Sequence, residues 1–240
     1  MVSGSFQHFK GIILDLDDTL APEKEFVYSG FMAVAEEMER RFGLVAERAL
    51  GELRELFDRG ERKLLFNRVL EENAMPYSEQ DISQLLSLYR RHRPSGSYRL
   101  YEDAGESLPY LAGNFLLALI TDGDRAMQER KIGALGIGSL FSPLIINESR
   151  EYFKPHPRSY EKILKEWEIP PCSIAVLGDN VLKDFVTPKA MGMLTVRIAR
   201  GGIYRAARGK KLWRAEYTVK STGGFLELLA RLDRGFQGMQ

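Results

Sequence analysis

Two aspartates spaced two residues apart, Asp15 and Asp17, stand at the end of a short apolar run, with Asp18 and Thr19 directly behind them. On an extended strand, residues i and i+2 point to one face, so the two carboxylates would share a side and repel each other unless a cation offset them. Oxygen ligands of this kind favour a hard cation, and Mg²⁺ is the natural solution. Much further along stand Thr121 with Asp122 and Gly123, Lys154 beside Pro155, and Asp179 with Asp184. A fixed ammonium and a hydroxyl donor suit the non-bridging oxygens of a phosphoryl group. The chemistry these residue types serve is the handling of a phosphoryl group beside a divalent cation.

Residues so far apart can cooperate only if the fold gathers them. The run 11–17 is β-branched and apolar and ends in acids, as a buried parallel strand does when its carboxyl end reaches a polar crevice. Further apolar runs at 115–120, 144–146, 174–177 and 194–198 alternate with helical stretches, and 217–219 adds a possible edge strand before a helical pattern over 225–232. That alternation predicts an α/β fold with a doubly wound parallel sheet, whose strand ends open onto one crevice. Between 21 and 98 the rhythm is helical throughout. Phe31, Val34, Ala35, Met38 and Phe42 recur at helical spacing before Gly43. Leu50, Leu53, Leu56 and Phe57 mark a second helix, Leu64, Leu65 and Val69 a third, and Ile82, Leu85, Leu86 and Tyr89 a fourth. Ser78 and Asp81 resemble a capping box in front of the fourth. The expected organisation is a core of 1–20 and 99–240 with a second, smaller all-helical domain over 21–98.

In order and spacing, these residues resemble the four motifs of the haloacid dehalogenase-like hydrolase superfamily: Asp15-Leu-Asp17-Asp18-Thr19, Thr121-Asp-Gly123, Lys154-Pro155, and Gly178-Asp179-Asn180 through Asp184. The resemblance implies a Rossmann-like core and a Mg²⁺-dependent phosphatase acting through an aspartyl phosphate. Under it Asp15 is the nucleophile, Asp17 the general acid and base, and Lys154 a catalytic clamp on the phosphoryl oxygens. It also implies substrate contacts from Asp18, Thr19, Thr121, Asp122, Gly123 and Lys154. The metal would be held by Asp15, the Asp17 backbone carbonyl and Asp179, with Asp184 in support of Lys154 or of the metal's waters. Members that cleave carbon–halogen or phosphonate bonds lack an acid at the position of Asp17, so phosphate esters are favoured. The helical block resembles the cap of phosphoglycolate phosphatase-like members, which closes over the crevice and contacts the organic part of the substrate. One departure stands out: the residue after Thr121 is often Asn in such members, and Asp122 cannot donate a side-chain hydrogen bond.

Composition narrows the partners. Lys+Arg 34 against Asp+Glu 33 gives a formal net charge of +1, which provides no global field for nucleic acid or an anionic membrane. The helical block carries twelve basic and fourteen acidic residues and does not advertise a highly anionic partner. With Cys172 as the only cysteine no intramolecular disulfide forms, and residues 1–10 hold no apolar run of signal-peptide length. The expectation is a soluble cytoplasmic protein, monomer or homodimer, acting on a small phosphorylated metabolite. Arg200, Arg205, Arg208, Lys210, Lys211 and Arg214, with Tyr204 and Trp213 among them, read as a solvated basic flap in preference to a nucleic-acid contact. Arg90, Arg91 and Arg93 read as plain surface in preference to an anion clamp. His8, His92 and His156 show no metal-ligand spacing. The alternatives are a phosphomutase of the β-phosphoglucomutase type, which the absence of histidine from 21–91 disfavours, and a non-enzymatic phosphoacceptor or binding protein.

Overall fold

The computed structural model describes residues 6–94, 96–201 and 210–237. The chain divides into two compact units, Met1–Glu23 with Arg99–Gln240, and Lys24–Tyr98. The second unit is built from α1 (Glu23–Phe42, whose first residue belongs to the other unit), α2 (Ala46–Asp58), α3 (Leu65–Glu72) and α4 (Glu79–Arg91). Phe31, Val34, Met38, Leu53, Leu56, Phe57, Val69, Leu70 and Leu85 are buried, as the helical periodicity requires. Ahead of α4, Ser78 and Asp81 form the expected capping box: the Asp81 amide donates to Ser78 Oγ at 3.3 Å and the Ser78 amide to Asp81 Oδ2 at 2.9 Å. Leu64 and Leu86 depart from the apolar stripe. Leu64 precedes α3 in a left-handed conformation and is 70% exposed, and both line an apolar cavity of about 220 Å³ together with Phe31, Phe57, Phe66 and Tyr89.

The first unit is a six-stranded, wholly parallel sheet with strand order β3-β2-β1-β4-β5-β6. The strands are β1 (Gly11–Leu14), β2 (Leu116–Asp122), β3 (Leu144–Asn147), β4 (Ile174–Gly178), β5 (Leu194–Ile198) and β6 (Tyr217–Val219), the last at the edge. The continuous apolar character of β1, β2 and β4 follows from burial on both faces. Ile12 and Leu14, Leu117 and Leu119, and Ala175 and Leu177 all enter one core, while Ile13, Ala118, Ile120, Ile174 and Val176 enter the other. The first core is completed by α5 (Glu102–Asn114), α6 (Arg125–Leu135) and α9 (Thr222–Gln237) through Leu108, Ile132, Phe225 and Leu229. The second is closed by α7 (Arg158–Trp167) through Tyr160, Ile163 and Trp167. A short α8 (Val186–Ala190) precedes β5. The sheet is therefore doubly wound, and Leu14 lies level with Leu119 on one side and Leu177 on the other. Loops leaving these three strands start from the same edge.

Strand β1 stops at Leu14 and does not run on to Asp17 as its composition predicts. Among the described residues no helix is long and apolar enough to cross a membrane.

Where β1 meets α7, the packing leaves no room for a side chain at Gly11: a Cβ there would lie 2.5 Å from Trp167 Cζ3. The indole cannot retreat easily, because its Nε1 donates to the Ser142 carbonyl at 2.8 Å. We expect Gly11→Ala to lower stability by about 1–3 kcal/mol through overpacking, read as a lower urea midpoint at unchanged slope. An unchanged midpoint would contradict this packing.

Candidate active site

The loop after β1 is shaped by its own polar residues. The Asp15 amide still reaches β4, donating to the Leu177 carbonyl at 3.0 Å, and the chain then folds back so that the Thr19, Leu20 and Ala21 amides converge on the Leu16 carbonyl. Asp18 sits at φ 55°, a left-handed conformation that Asp tolerates better than most residues. Its amide donates to the Ala21 carbonyl at 2.8 Å, and its Oδ1 accepts from the Glu23 amide at 3.1 Å. Thr19 Oγ1 donates to Asp15 Oδ2 at 3.2 Å. Asp18 and Thr19 thus hold the turn and the Asp15 carboxylate. Because the strand ends at Leu14, the strand-face pairing of the Asp15 and Asp17 carboxylates does not occur.

Asp15 keeps different company. Lys154, in the segment between β3 and α7, is buried and places Nζ 2.5 Å from Asp15 Oδ1, 2.8 Å from Asp184 Oδ1 and 3.2 Å from the Ile120 carbonyl. Burial alone would favour its neutral form, but the Asp15 and Asp184 carboxylates hold its pKa well above the ordinary 10.5. Asp15, Asp179 and Asp184 are all buried and offer a carboxylate oxygen each within 4.8 Å of one another. Asp184 is brought so close by the absence of a side chain at Gly178, where a Cβ would stand 2.6 Å from Asp184 Oδ2; that oxygen accepts from the Asn180 amide at 2.9 Å. Four carboxylates, Asp15, Asp122, Asp179 and Asp184, face two ammonium groups here, Lys154 and Lys183. Burial and mutual repulsion push Asp15 up from 3.8 to about 6 and Asp179 to about 9. An all-oxygen, buried site short of positive charge fits a divalent cation.

The second motif ends β2. Thr121 is buried, with its Oγ1 accepting from Gln128 Nε2 at 3.0 Å. The Gly123 amide is taken up by the Asn147 carbonyl at 2.9 Å. Asp122 accepts from Asn147 Nδ2 at 2.9 Å, from the Lys154 amide at 3.2 Å and from Lys183 Nζ at 2.9 Å. Burial would raise its pKa, yet the ammonium groups of Lys154 and Lys183 hold the carboxyl below the ordinary range. The Asp that stands where Asn is common is therefore matched by a cation, Lys183, which sequence reasoning passed over.

Two further residues went unread. From α6, Lys131 Nζ lies 2.7 Å from both oxygens of Asp17, and Gln128 Nε2 lies 3.2 Å from Asp17 Oδ2. The signal was available in two polar residues three apart on a helix whose next position, Ile132, is core. Arg200 is a correction. It is not part of a solvated flap: its side chain is 8% exposed, its Nη1 and Nη2 grip Asp103 at 2.8 and 2.9 Å, and its Nε donates to the Thr19 carbonyl at 3.0 Å. Asp103 also accepts from the Thr222 amide at 2.6 Å, so Arg200 joins the loop after β1 to α5 and α9. Lys210, Lys211 and Arg214 are exposed as expected, whereas Tyr204, Arg205 and Arg208 lie outside the described residues. Arg90, Arg91 and Arg93 are exposed.

A doubly wound parallel sheet whose strand ends gather these acids, this lysine and this threonine defines a class. The haloacid dehalogenase-like hydrolase pattern matches residues 12–198, and the chain belongs to this family. It is similar to glyceraldehyde 3-phosphate phosphatase of Methanocaldococcus jannaschii, with 28% identity over 229 residues, 94% of this chain and 99% of the relative. The protein of the same name from Pyrococcus abyssi is 31% identical over 193 residues, 78% of this chain and 80% of the relative. In fold, the chain resembles a putative HAD-hydrolase from Bacillus subtilis, with TM-score 0.67 at 16% identity over 93% of this chain and 99% of that one.

The Arg200 hub generates a stability prediction. Burial tends to raise the Asp103 pKa, but Arg200 and the Thr222 amide hold it below 3.8. Its contribution is thus present above the unfolded value and lost as pH falls through the lower folded one. Arg200→Ala should cost roughly 2 kcal/mol near neutrality, and the deficit should shrink as the medium is acidified through that window. Urea unfolding across the acid range checks both, and a deficit that does not change with pH would contradict the assignment.

Proposed function

We propose that this chain is a Mg²⁺-dependent phosphatase that hydrolyses a small phosphate monoester through an aspartyl phosphate on Asp15. The observation that carries the reading is the buried contact of Lys154 with Asp15 and Asp184, beside Asp179, at the carboxyl edge of the sheet. Asp15 attacks phosphorus, the bond to the ester oxygen breaks, and Asp17 gives its proton to the departing alkoxide. Asp17 then takes a proton from the water that attacks the aspartyl phosphate, which restores Asp15 and frees inorganic phosphate. Lys154 and the Thr121 hydroxyl bind the non-bridging oxygens, while Asp184 keeps the ammonium in place. Asp15, Asp179 and the Asp17 backbone carbonyl would hold Mg²⁺, which would supply positive charge for the phosphoryl oxygens and against the surplus of carboxylates.

The relatives named glyceraldehyde 3-phosphate phosphatase point to a triose phosphate as the first substrate to try. The helical unit is assigned as the cap, which selects the organic part of the ester. Hydrolysis is preferred to mutase chemistry because His92, the single histidine between 24 and 98, is buried with Nδ1 2.6 Å from the Tyr89 carbonyl. A cytoplasmic setting fits such a metabolite.

Asp15→Asn keeps the shape of the side chain and removes the nucleophile. We expect it to reduce Mg²⁺-dependent phosphate release from glyceraldehyde 3-phosphate on the order of 10³-fold or more, in a protein that still unfolds cooperatively. Comparable turnover by the variant, or turnover by the wild type that survives chelation, would overturn the reading.

A further inference from the structure

The proposed reaction leaves a buried cation without a task. Lys131 is 4% exposed, and its ammonium lies 2.7 Å from both oxygens of Asp17. Resting on the phosphatase reading above, we propose that Lys131, with Gln128, is a positioning residue for Asp17: it fixes the plane of the carboxylate that exchanges protons with the leaving group and with water.

Three features of the chain support this. Helix α6 is set directly on the second motif, because Asp124, the residue after Gly123, caps it by accepting from the Met127 amide at 2.9 Å. Ile132 anchors the helix in the core on one side of the sheet. Gln128 and Lys131 are therefore carried at fixed distances from Thr121, one helical turn apart on the same face. Gln128 links the two halves of the site, since its Nε2 lies within reach of Thr121 Oγ1, the Asp122 carbonyl and Asp17 Oδ2.

Asp17 needs such help. It lies beyond the end of β1, in an isolated bridge to Ala21, outside the continuous ladder that holds strand residues in register. A buried ion pair is a poor source of stability compared with apolar side chains of similar volume, so its place on this one carboxylate is better accounted for by orientation. A displacement of about 1 Å at a reacting group is worth up to about 10²-fold in rate, which is ample reason to hold it at two points.

The test compares two esters that differ in their need for a general acid. An alkyl ester such as glyceraldehyde 3-phosphate expels a basic alkoxide that must be protonated, whereas 4-nitrophenyl phosphate expels a phenolate that departs unaided. For Lys131→Met, kcat/KM on the alkyl ester should fall about 30-fold, while kcat/KM on the nitrophenyl ester stays within about threefold of wild type. Lys131→Arg, which keeps the cation, should recover most of the loss. An equal fall on both esters, or no fall on either, would overturn the assignment. Should Lys131→Met not fold, Lys131→Gln removes the charge while keeping a polar side chain and should show the same split; an equal effect on both esters there overturns the proposal as well. Wild-type protein that hydrolyses neither ester in Mg²⁺ would instead overturn the phosphatase reading, and this inference with it.

Discussion

An ammonium buried away from water persists in its charged form only where carboxylates surround it, and the placing of Lys154 governs much of this molecule. Its charge is neutralised by Asp15 and Asp184, and its backbone amide and Nζ reach Asp122 and the Ile120 carbonyl. Every loop at the carboxyl edge of the central strands contributes to that environment. The arrangement overshoots, however, because Asp179 brings a third carboxylate with no ammonium of its own. Burial first, and then this surplus of carboxylates, raises the pKa values of Asp15 and Asp179. A divalent cation would resolve the imbalance and, on the proposed reading, would make the same oxygens useful for phosphoryl transfer.

The fold meets this constraint with little strain. Parallel pairing of β1 with both β2 and β4 sets Leu14, Leu119 and Leu177 level, so the chain enters the site from several strands at one height. Gly178 lets Asp184 approach the end of β4, and the turn over Leu16–Ala21 delivers Asp15 inward. Arg200 then ties that turn to α5 and α9, and Lys131 ties Asp17 to α6. Asp15 and Asp17 are each held by a cation from a different element, which is how a site made of loops acquires the precision of the sheet beneath it.

The sheet was legible because burial on both faces leaves continuous apolar runs, and β1, β2, β4 and β5 all stand where those runs fall. Asp15, Lys154, Asp179 and Asp184 were legible because their order and their neighbours follow a family pattern, and the structure brings these four together. Sequence reasoning failed where a charge outside the family's motif residues found a distant partner. Arg200 resembles its exposed basic neighbours until Asp103, almost a hundred residues earlier, is seen to receive it. Lys183 looks like an ordinary surface lysine, since nothing local announces Asp122, and for Lys131 the one local signal is its pairing with Gln128 beside the core residue Ile132. The end of β1 at Leu14 was also unreadable, because the hydrogen bonds that curl Leu16–Ala21 depend on Asp18 adopting a left-handed turn. Long-range pairing of charges has no periodicity, and periodicity is what a sequence displays best.

Burial and mutual repulsion should keep a proton in the acid cluster around Lys154 that a divalent cation displaces on binding. Isothermal titration calorimetry of Mg²⁺ binding, repeated in buffers of different ionisation enthalpy, counts the protons released. We expect release of about one proton per ion near pH 7 in the wild type, falling towards zero in Asp179→Asn. Mg²⁺ binding that releases no proton from the wild type would contradict it.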